Sequence, residues 1–257
     1  MINLTSNRAK RQALFYIDRQ MAVIESRFSK RLYSALSKQY NAVADFIEIG
    51  SLDVDHILSQ TSVMFFDVYK TYYKIIYNLF GDIIFNAMKD EKSFMSYEQK
   101  SLKDNYYKFM ESWAKTEMGM KITRLFTSTK RKIAAKIESM LEEGYSNKLI
   151  AQEIRGISKA LNKTRAATIA RTETHTVAMK STSQAMATTR LKYTKEWVAA
   201  NDSRTRNAHA LADGQTVPKD DWYIVGGEKM FYPGDPAASP ENTINCRCVE
   251  IYNTIRE

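Results

Sequence analysis

Apolar residues recur every three or four positions over most of the first 190 residues, which is the spacing of a helix with one buried face. The clearest stripe consists of Leu14, Ile17, Met21, Ile24, Phe28 and Leu32. All four prolines lie between Pro218 and Pro240, so no proline interrupts a helix before them. We therefore predict that the chain is almost entirely α-helical up to about Arg190, with strands confined to the region from about Tyr193 onward.

A second predicted helix, over about residues 53–88, is apolar on almost every side and rich in aromatic residues. Its aromatic side chains include Phe65, Phe66, Tyr69, Tyr72, Tyr73 and Tyr77. A helix that is apolar all round is buried in a bundle or in a subunit contact. Aromatic side chains can also stack on bases, but their helical spacing here favours packing in a protein core or an oligomer contact.

Single glycines mark where helices are expected to break or end. The glycines predicted to interrupt or close a helix are Gly81, Gly119, Gly144 and Gly156. We predict a helix over about residues 129–143 with Gly144 at its C′ position. Ser146 is a candidate N-cap for a short helix that closes near Gly156. Another long helix is predicted over about residues 160–190.

The pattern changes after residue 190, where prolines, glycines and short β-branched or aromatic runs replace the helical spacing. Strands are predicted at residues 195–201 and 247–252, with a short helix over residues 203–211. The predicted fold class is a mainly α N-terminal region of long helices followed by a small α+β C-terminal module. The expected regions are a helical region at 1–127, a basic helical region at 128–190 and the α+β module at 191–257.

Composition restricts the class of protein. The 257 residues are 44% hydrophobic and 26% charged, which is typical of a globular protein and excludes collagen-like, low-complexity and disulfide-rich classes. The most apolar stretch, residues 56–88, contains several charges, whereas a spanning helix needs about 20 nearly uncharged residues. The N-terminus lacks the apolar run of a secretory signal. We therefore expect no signal peptide, no membrane-spanning segment and no membrane partner.

Positive charge is concentrated in the helical part of the chain. Residues 1–190 contain 30 Lys and Arg against 19 Asp and Glu, and residues 130–190 alone contain 12 against 5. A basic helical surface of this kind is a candidate for contact with a polyanion, and a solvated helical face is the alternative. The candidate DNA-binding residues are Lys130, Arg131, Lys132, Arg155, Lys159, Lys163 and Arg165.

The two cysteines, Cys246 and Cys248, form a C-x-C pair that is too short for an easy intramolecular disulfide. Together with His209 and Asp202 they are residue types that bind Zn²⁺. Residues i and i+2 of a strand face the same side, so both thiols can meet one histidine. We predict that His209 and the cysteines cluster with Asp202 near them, around Zn²⁺ or through hydrogen bonds. The alternative is two small buried cysteines with a locally hydrogen-bonded His209.

A hydrolytic site is a second interpretation of the same module. His209 could act as a general base, with Arg204, Arg206 and Arg247 stabilising phosphoryl charge. However, residues 191–257 contain 8 basic and 10 acidic residues, a balance that disfavours holding a nucleic acid. We therefore expect a non-enzymatic protein, and a metal-dependent nuclease or hydrolase with a helical docking region is the alternative.

Five short motifs follow one another between residues 171 and 248. They are RTET at 171–174, KEW at 195–197, DSRTRNAH at 202–209 with Asp213 and Gly214, PGDP at 233–236, and NCRC at 245–248. Their order and spacing resemble the phage Mu F-like minor head protein family, over about residues 144–252. The helical sequence before residue 144 is not part of the resemblance.

The resemblance implies a structural protein of tailed-phage head morphogenesis, present in few copies inside the capsid of the virion after assembly in the host cytoplasm. A role in DNA packaging or ejection is also expected. Implied partners are the portal protein, a major capsid or scaffold protein, packaged double-stranded DNA and further copies of the chain. The family positions expected to be structural are Arg171, Glu173, Trp197, Arg204, Gly214, Asp235 and Arg247.

Overall fold

A computed structural model describes residues 2–3, 6–88, 96–189 and 191–255. Four long helices come first: α1 (Asn7–Glu48), α2 (Val54–Ala87), α3 (Ser96–Glu142) and α4 (Asn147–Thr188). A small region of strands and short helices follows them, so the predicted fold class is confirmed. The predicted boundary residue Arg190 lies outside the described residues. Within the described ranges, no helix combines the length and apolar character needed to cross a membrane.

The C-terminal region consists of short elements. In chain order they are β1 (Tyr193–Val198), α5 (Asn207–Leu211), β2 (Thr216–Pro218), β3 (Tyr223–Val225), β4 (Glu228–Met230), α6 (Pro240–Thr243) and β5 (Val249–Thr254). Antiparallel pairing gives one sheet with the order β2-β1-β5 and a separate β3-β4 hairpin. The named strands begin at Tyr193, as predicted, and Ile2 adds only an isolated parallel bridge to Tyr252.

Three predicted helix breaks are wrong. Gly81, Gly119 and Gly156 lie inside α2, α3 and α4 respectively, so the short helix closing near Gly156 is part of one long helix. A helical glycine costs only about 1 kcal/mol relative to alanine, which the packing of a long helix outweighs. At Gly81 the absence of a side chain allows close packing of α2 against α3, because a Cβ there would collide with the ring of Tyr106.

The C-terminal ends of α1 and α3 share one conformation. Gly144 has a φ of 78°, its N–H donates to the Leu141 carbonyl at 3.0 Å, and the Tyr145 N–H donates to the Met140 carbonyl at 2.9 Å. Gly50, with a φ of 93°, ends α1 with the same pair of bonds. Both ends are Schellman motifs. The predicted C′ position of Gly144 is confirmed.

The chain folds into two compact units, each containing part of every long helix. Unit 1 consists of Met1–Glu25, Tyr73–Ser112 and Arg171–Glu257, and unit 2 consists of Ser26–Tyr72 and Trp113–Ala170. These units are discontinuous in sequence because each long helix contributes one segment to each of them. The three consecutive regions expected from the sequence therefore stay a prediction.

Unit 2 is built from four helical segments around an apolar core. Core residues from all four helices include Tyr40, Val43, Ile47, Ile57, Ile137, Met140 and Ile154. The ring of Phe28 stacks on Tyr72 with centroids 4.7 Å apart, and it meets Tyr69 edge to face at 5.5 Å. Most aromatic side chains of α2 are buried, in agreement with core packing.

In unit 1, the sheet, the hairpin and α5 enclose a second core around Trp197. This side chain is fully buried on β1 and meets the Tyr223 ring edge to face, with centroids 5.3 Å apart. Gly214 donates its N–H to the Trp197 carbonyl at 2.8 Å. The same cluster contains both cysteines, so the anchoring tryptophan and the candidate metal ligands share one core.

Candidate metal centre

His209, Cys246 and Cys248 meet in the core of unit 1. Helix α5 carries the histidine, and the segment between α6 and β5 carries both cysteines. The imidazole Nδ1 lies 3.3 Å from Cys248 Sγ and 3.7 Å from Cys246 Sγ. The exposed fraction is 1% for His209 and Cys246 and 2% for Cys248. The predicted cluster of these three side chains is therefore confirmed.

The cysteines reach this position from an extended segment just before β5, not from β5 itself as predicted. Asn245 turns the chain after α6 with a φ of 56°, a left-handed conformation that Asn adopts more readily than most residues. Residues i and i+2 of an extended segment face the same side. Both thiols therefore point toward His209 although the strand begins later than expected.

The cluster has dimensions that suit a metal ion. A tetrahedral Zn²⁺ ion, with Zn–N of about 2.0 Å and Zn–S of about 2.3 Å, holds nitrogen and sulfur ligands about 3.5 Å apart. The observed N···S distances of 3.3 and 3.7 Å bracket that value, and the three ligand atoms all lie within 4.8 Å of one another. The group is close enough to hold a metal, and the same distances permit thiol–imidazole hydrogen bonds.

Two buried polar atoms beside the thiols have no hydrogen-bond partner among the described residues. They are His209 Nε2 and Trp197 Nε1, and the two rings pack edge to face with centroids 5.6 Å apart. Buried polar side-chain atoms usually have a partner. The His209 ring therefore makes its polar contacts with protein through Nδ1 alone, toward the thiols.

One hydrogen bond joins the two thiols and shifts their pKa values in opposite directions. Burial raises the pKa of Cys246, but the hydrogen bond from Cys248 and the nearby imidazoles of His175 and His209 outweigh it, so this pKa lies well below its usual value. The hydrogen bond with Cys246, together with burial, raises the pKa of Cys248. One thiolate is therefore favoured in the cluster, and the thiolate is the form that binds a metal.

Asp202 does not join the metal-ligand group. Among the described residues, the His, Cys, Asp and Glu side chains close enough to share an ion are the histidine and two cysteines only. The guanidinium of Arg247 donates to both Asp202 oxygens, with one N···O distance of 2.7 Å. This hydrogen bond holds the pKa of Asp202 well below its usual range. Arg247 faces outward between two inward cysteines and keeps Asp202 at the surface, contrary to the prediction.

One segment of α4 holds the cysteine loop directly. Thr172 Oγ1 accepts the N–H of Asn245 at 3.2 Å. His175 Nε2 donates to the Cys248 carbonyl oxygen at 2.8 Å. Sequence reasoning missed His175, because a helical histidine belongs to no ligand motif. Its position directly after RTET, as one of only three histidines in the chain, was the available signal.

The turn at residues 233–235 packs against the same part of α4. Gly234 has a φ of 77°, and a Cβ there would lie 2.5 Å from His175 Nδ1, so a glycine is required both by conformation and by space. Asp235 accepts two backbone N–H groups of the flanking chain, at 2.9 and 3.0 Å. The side chain of Asp235 therefore shapes the turn that Gly234 brings close to the helix.

Two further family positions on α4 have charged or polar partners within unit 1. Arg171 pairs with Glu25 at 3.4 Å, where burial raises the pKa of Glu25 in spite of the guanidinium. Glu173 is buried and accepts the Tyr73 hydroxyl at 2.5 Å. Both side chains thus contact other helical segments of the same unit, and the hydrogen bond to Glu173 is expected for a carboxylate that is removed from water.

Three of the candidate DNA-binding residues are engaged inside unit 2. Lys130 pairs with the Asp55 carboxylate at 2.5 Å, and Arg155 pairs with two carboxylates of α1 at 2.6 and 2.7 Å. Arg165 is half-buried and donates to Thr129 Oγ1 at 3.0 Å, and burial lowers the pKa of Arg165. Arg165 therefore stabilises the α3–α4 contact, and DNA binding by Arg165 stays a prediction.

The other four candidates are exposed: Arg131, Lys132, Lys159 and Lys163. Two contacts show how α3 and α4 are aligned along their lengths. Arg165 donates to Thr129, and Lys136 pairs with Glu153 at 3.4 Å. Residues 131–132 lie at the same level as residues 159–163. We call this group the basic surface of unit 2.

The position of His209 bears on the hydrolase interpretation. A general base must reach a proton of the substrate, but this imidazole lies in the core. Arg204 and Arg247 contact Asp202, and Arg206 donates to a backbone carbonyl at the end of α6 at 2.5 Å. Arg204 and Arg247 line an open pocket together with Asp202, but His209 does not line it, so the candidate base and the candidate phosphate ligands do not share one open site.

Comparisons with known proteins identify one related family. Neither the curated proteins nor the solved structures contain a match. Residues 131–251 match the family model described as Phage Mu protein F like protein. This range includes α4, the His-Cys-Cys cluster and every motif from RTET to NCRC. Over residues 131–251, the chain is therefore similar to phage Mu F-like proteins.

Proposed function

We propose that this chain is a structural minor head protein of a tailed phage and acts in head morphogenesis. The match of residues 131–251 to the phage Mu F-like family carries the proposal. Further support comes from the motif residues Asp202 and Arg247, since they form a contact within the fold. In this role the chain is a folded component of the virion and catalyses no reaction.

The proposed location is the capsid interior beside the portal protein. There the chain contacts the portal protein, the major capsid or scaffold protein, further copies of itself and the packaged DNA. The basic surface of unit 2 supports the DNA contact, because exposed Lys and Arg side chains displace counterions from phosphates. A function in DNA packaging or ejection follows from a position between the portal and the DNA.

Within unit 1, the proposed ion at His209, Cys246 and Cys248 is Zn²⁺. The N···S distances fit its tetrahedral geometry, and a nitrogen–sulfur ligand set suits this soft-to-borderline cation. The ion would link α5 to the segment before β5. Small modules often gain stability from such a link, because metal binding then contributes directly to folding.

A map of intact heads at the portal vertex tests the structural role. We expect density for this chain inside the capsid, in contact with the portal protein and present in few copies. A second map, of heads in which this chain carries an epitope tag, identifies its density by the extra density of the tag. A position on the outer shell, or heads that lack the chain, would contradict the proposal.

The hydrolase alternative is tested with the purified chain, DNA and RNA, with and without added Zn²⁺ or Mg²⁺. We expect no turnover under any of these conditions. Turnover that disappears in His209→Ala but persists in Arg131→Gln, which changes only an exposed side chain, would assign a catalytic function to the C-terminal module and overturn the structural one.

A further inference from the structure

The two helix–helix loops of unit 2 meet at one end of that unit. We call this end the tip and define it as residues 45–55 and 136–153. A Cβ built on Gly50 would lie 3.9 Å from Asn147 Nδ2, so the two loops are neighbours. Leu52 and Leu141, one from each side, line the same shallow pocket of about 410 Å³. The tip is therefore one continuous surface.

This surface exposes several large apolar side chains. Five large apolar side chains of the tip are exposed to solvent: Ile49 (79%), Leu52 (47%), Leu141 (43%), Tyr145 (43%) and Leu149 (47%). Single exposed apolar residues are ordinary on a protein surface, but neighbouring ones mark sites of interaction. The pocket gives such an interaction a place for an apolar side chain.

The charge of the tip is opposite to that of the rest of unit 2. The tip contains eight Asp and Glu against two Lys and Arg. Lys130 and Arg155, just outside it, pair with three of those carboxylates, so the tip remains net negative while the remainder of unit 2 is net positive. Glu138 and Glu142 line the pocket, and on α3 they are one turn apart, so their carboxylates lie on the same face. Acidic residues beside exposed apolar side chains repel DNA and attract cationic partners.

We propose that the tip of unit 2 docks an amphipathic helix of another protein that carries Lys or Arg beside its apolar stripe. The apolar stripe would contact Leu52 and Leu141, and its basic residues would lie next to Glu138 and Glu142. Charge complementarity selects this occupant over DNA and over an acidic helix. The proposal goes beyond the head-protein role, since it depends on neither the portal contact nor the basic surface.

Fluorescence anisotropy with the full chain tests this docking. The probes are a labelled amphipathic helix of Leu and Lys, about 18 residues or five turns long, the same design with Glu for Lys, and a scrambled Leu/Lys peptide. We expect the amphipathic Leu/Lys peptide to bind most tightly. Loss of one buried leucine contact should weaken it about tenfold in Leu141→Gln, and Glu138→Lys with Glu142→Lys should weaken it as well.

Val63→Gln is the matched control, because Val63 is an exposed apolar residue (65%) of α2 outside the tip. Its affinity for the Leu/Lys peptide should equal that of the unchanged protein, and circular dichroism checks that every variant is folded. Equal binding of the Leu/Glu or scrambled peptide, or unchanged binding by Leu141→Gln, would overturn the proposal. Self-association in sedimentation equilibrium that Leu141→Gln abolishes would assign the tip to a second copy instead, which also overturns it.

Discussion

At the scale of single residues, the NCRC motif ties several segments of unit 1 together. The thiols of Cys246 and Cys248 face His209 on α5, and the Cys248 carbonyl accepts the His175 N–H on α4. Between them, Arg247 faces outward and binds Asp202 in the loop after β1. Alternation along an extended segment therefore lets three consecutive residues contact both the interior and the surface of the module.

Zinc content is the most direct residue-scale prediction. Protein purified without a histidine tag should contain one zinc per chain by elemental analysis, and Cys248→Ser should lose it, because two remaining ligands cannot hold the ion in place. We expect the variant or a chelator to lower the melting temperature by about 5–10 °C, corresponding to about 2–3 kcal/mol in a chain of this size.

Asp202→Asn serves as the control for the zinc prediction. Its carboxylate contacts Arg247 at the surface, so the variant should retain its zinc. A protein without metal whose melting temperature does not respond to chelator would show that hydrogen bonds alone close the cluster. Loss of zinc in Asp202→Asn would instead contradict the assignment of ligands made from the geometry.

Glu250 should make the stability of the protein depend on pH. Burial raises its pKa to about 7, in spite of Lys195 and the hydrogen bond from Tyr252, whose length is 2.7 Å. The folded chain thus keeps a proton that the unfolded chain, with a pKa of 4.5, releases. This contribution is complete below about pH 4.5 and is lost as the pH rises through 7, which amounts to about 3 kcal/mol.

Denaturant unfolding between pH 4.5 and 8 measures this effect. Glu250→Gln cannot titrate and should flatten the pH dependence, while Glu138→Gln, which changes an exposed carboxylate, should leave it unchanged. If the unchanged protein and Glu250→Gln lose stability equally as the pH rises, another group is responsible and the raised pKa of Glu250 is wrong.

Residue types and spacing were enough to predict the His209, Cys246 and Cys248 cluster, because few other soft ligands exist in the chain. They could not predict that the Asp202 side chain turns away from the cluster, because it is held by Arg247 and not by a neighbour in sequence. His175 was missed for a related reason. Its contact with the Cys248 carbonyl joins residues 73 positions apart, and helical periodicity carries no information about such contacts.

At the scale of elements, the long helices were predictable and their continuity was not. Apolar spacing shows that a helix exists, and the Schellman glycine at Gly144 shows where one ends. A glycine within a helix has no such signature, because its cost of about 1 kcal/mol is small beside the packing of a long helix. Gly119 and Gly156 have nothing within 4 Å of a built Cβ, so their surroundings impose no break.

Gly81 and Gly119 form a matched pair for testing this explanation. Gly119→Ala should stabilise the protein by up to about 1 kcal/mol, since alanine favours the helix. Gly81→Ala should destabilise it by about 1–3 kcal/mol, because the new Cβ collides with Tyr106, a buried ring whose hydroxyl donates to the Tyr77 carbonyl at 2.6 Å.

Urea unfolding of the two alanine variants gives the comparison directly. Equal destabilisation by both changes would mean that α3 requires a glycine for some reason other than space. A neutral Gly81→Ala would mean that the Tyr106 ring can move aside without cost, which would contradict the close approach of α2 and α3 within unit 1.

At the scale of the whole molecule, charge follows the compact units and not the order of the sequence. Unit 2 contains 17 Lys and Arg against 10 Asp and Glu, and unit 1 contains 21 against 19. Most of the net charge of +9 therefore belongs to unit 2. Sequence analysis recognised a basic N-terminal part, but it could not separate the basic surface from the acidic tip, because α3 and α4 contribute residues to both.

The last prediction concerns DNA binding by the basic surface of unit 2. Replacing Arg131, Lys132, Lys159 and Lys163 together by Gln should weaken binding to duplexes of any sequence, because exposed cations release counterions from phosphates. For four lost contacts, the slope of log affinity against log salt should decrease by up to about 3.6. Arg155→Gln is the control, since its guanidinium already pairs with Asp45 and Glu48. Affinity that does not change with salt, or an equal loss in the control, would assign this surface to a protein interface instead.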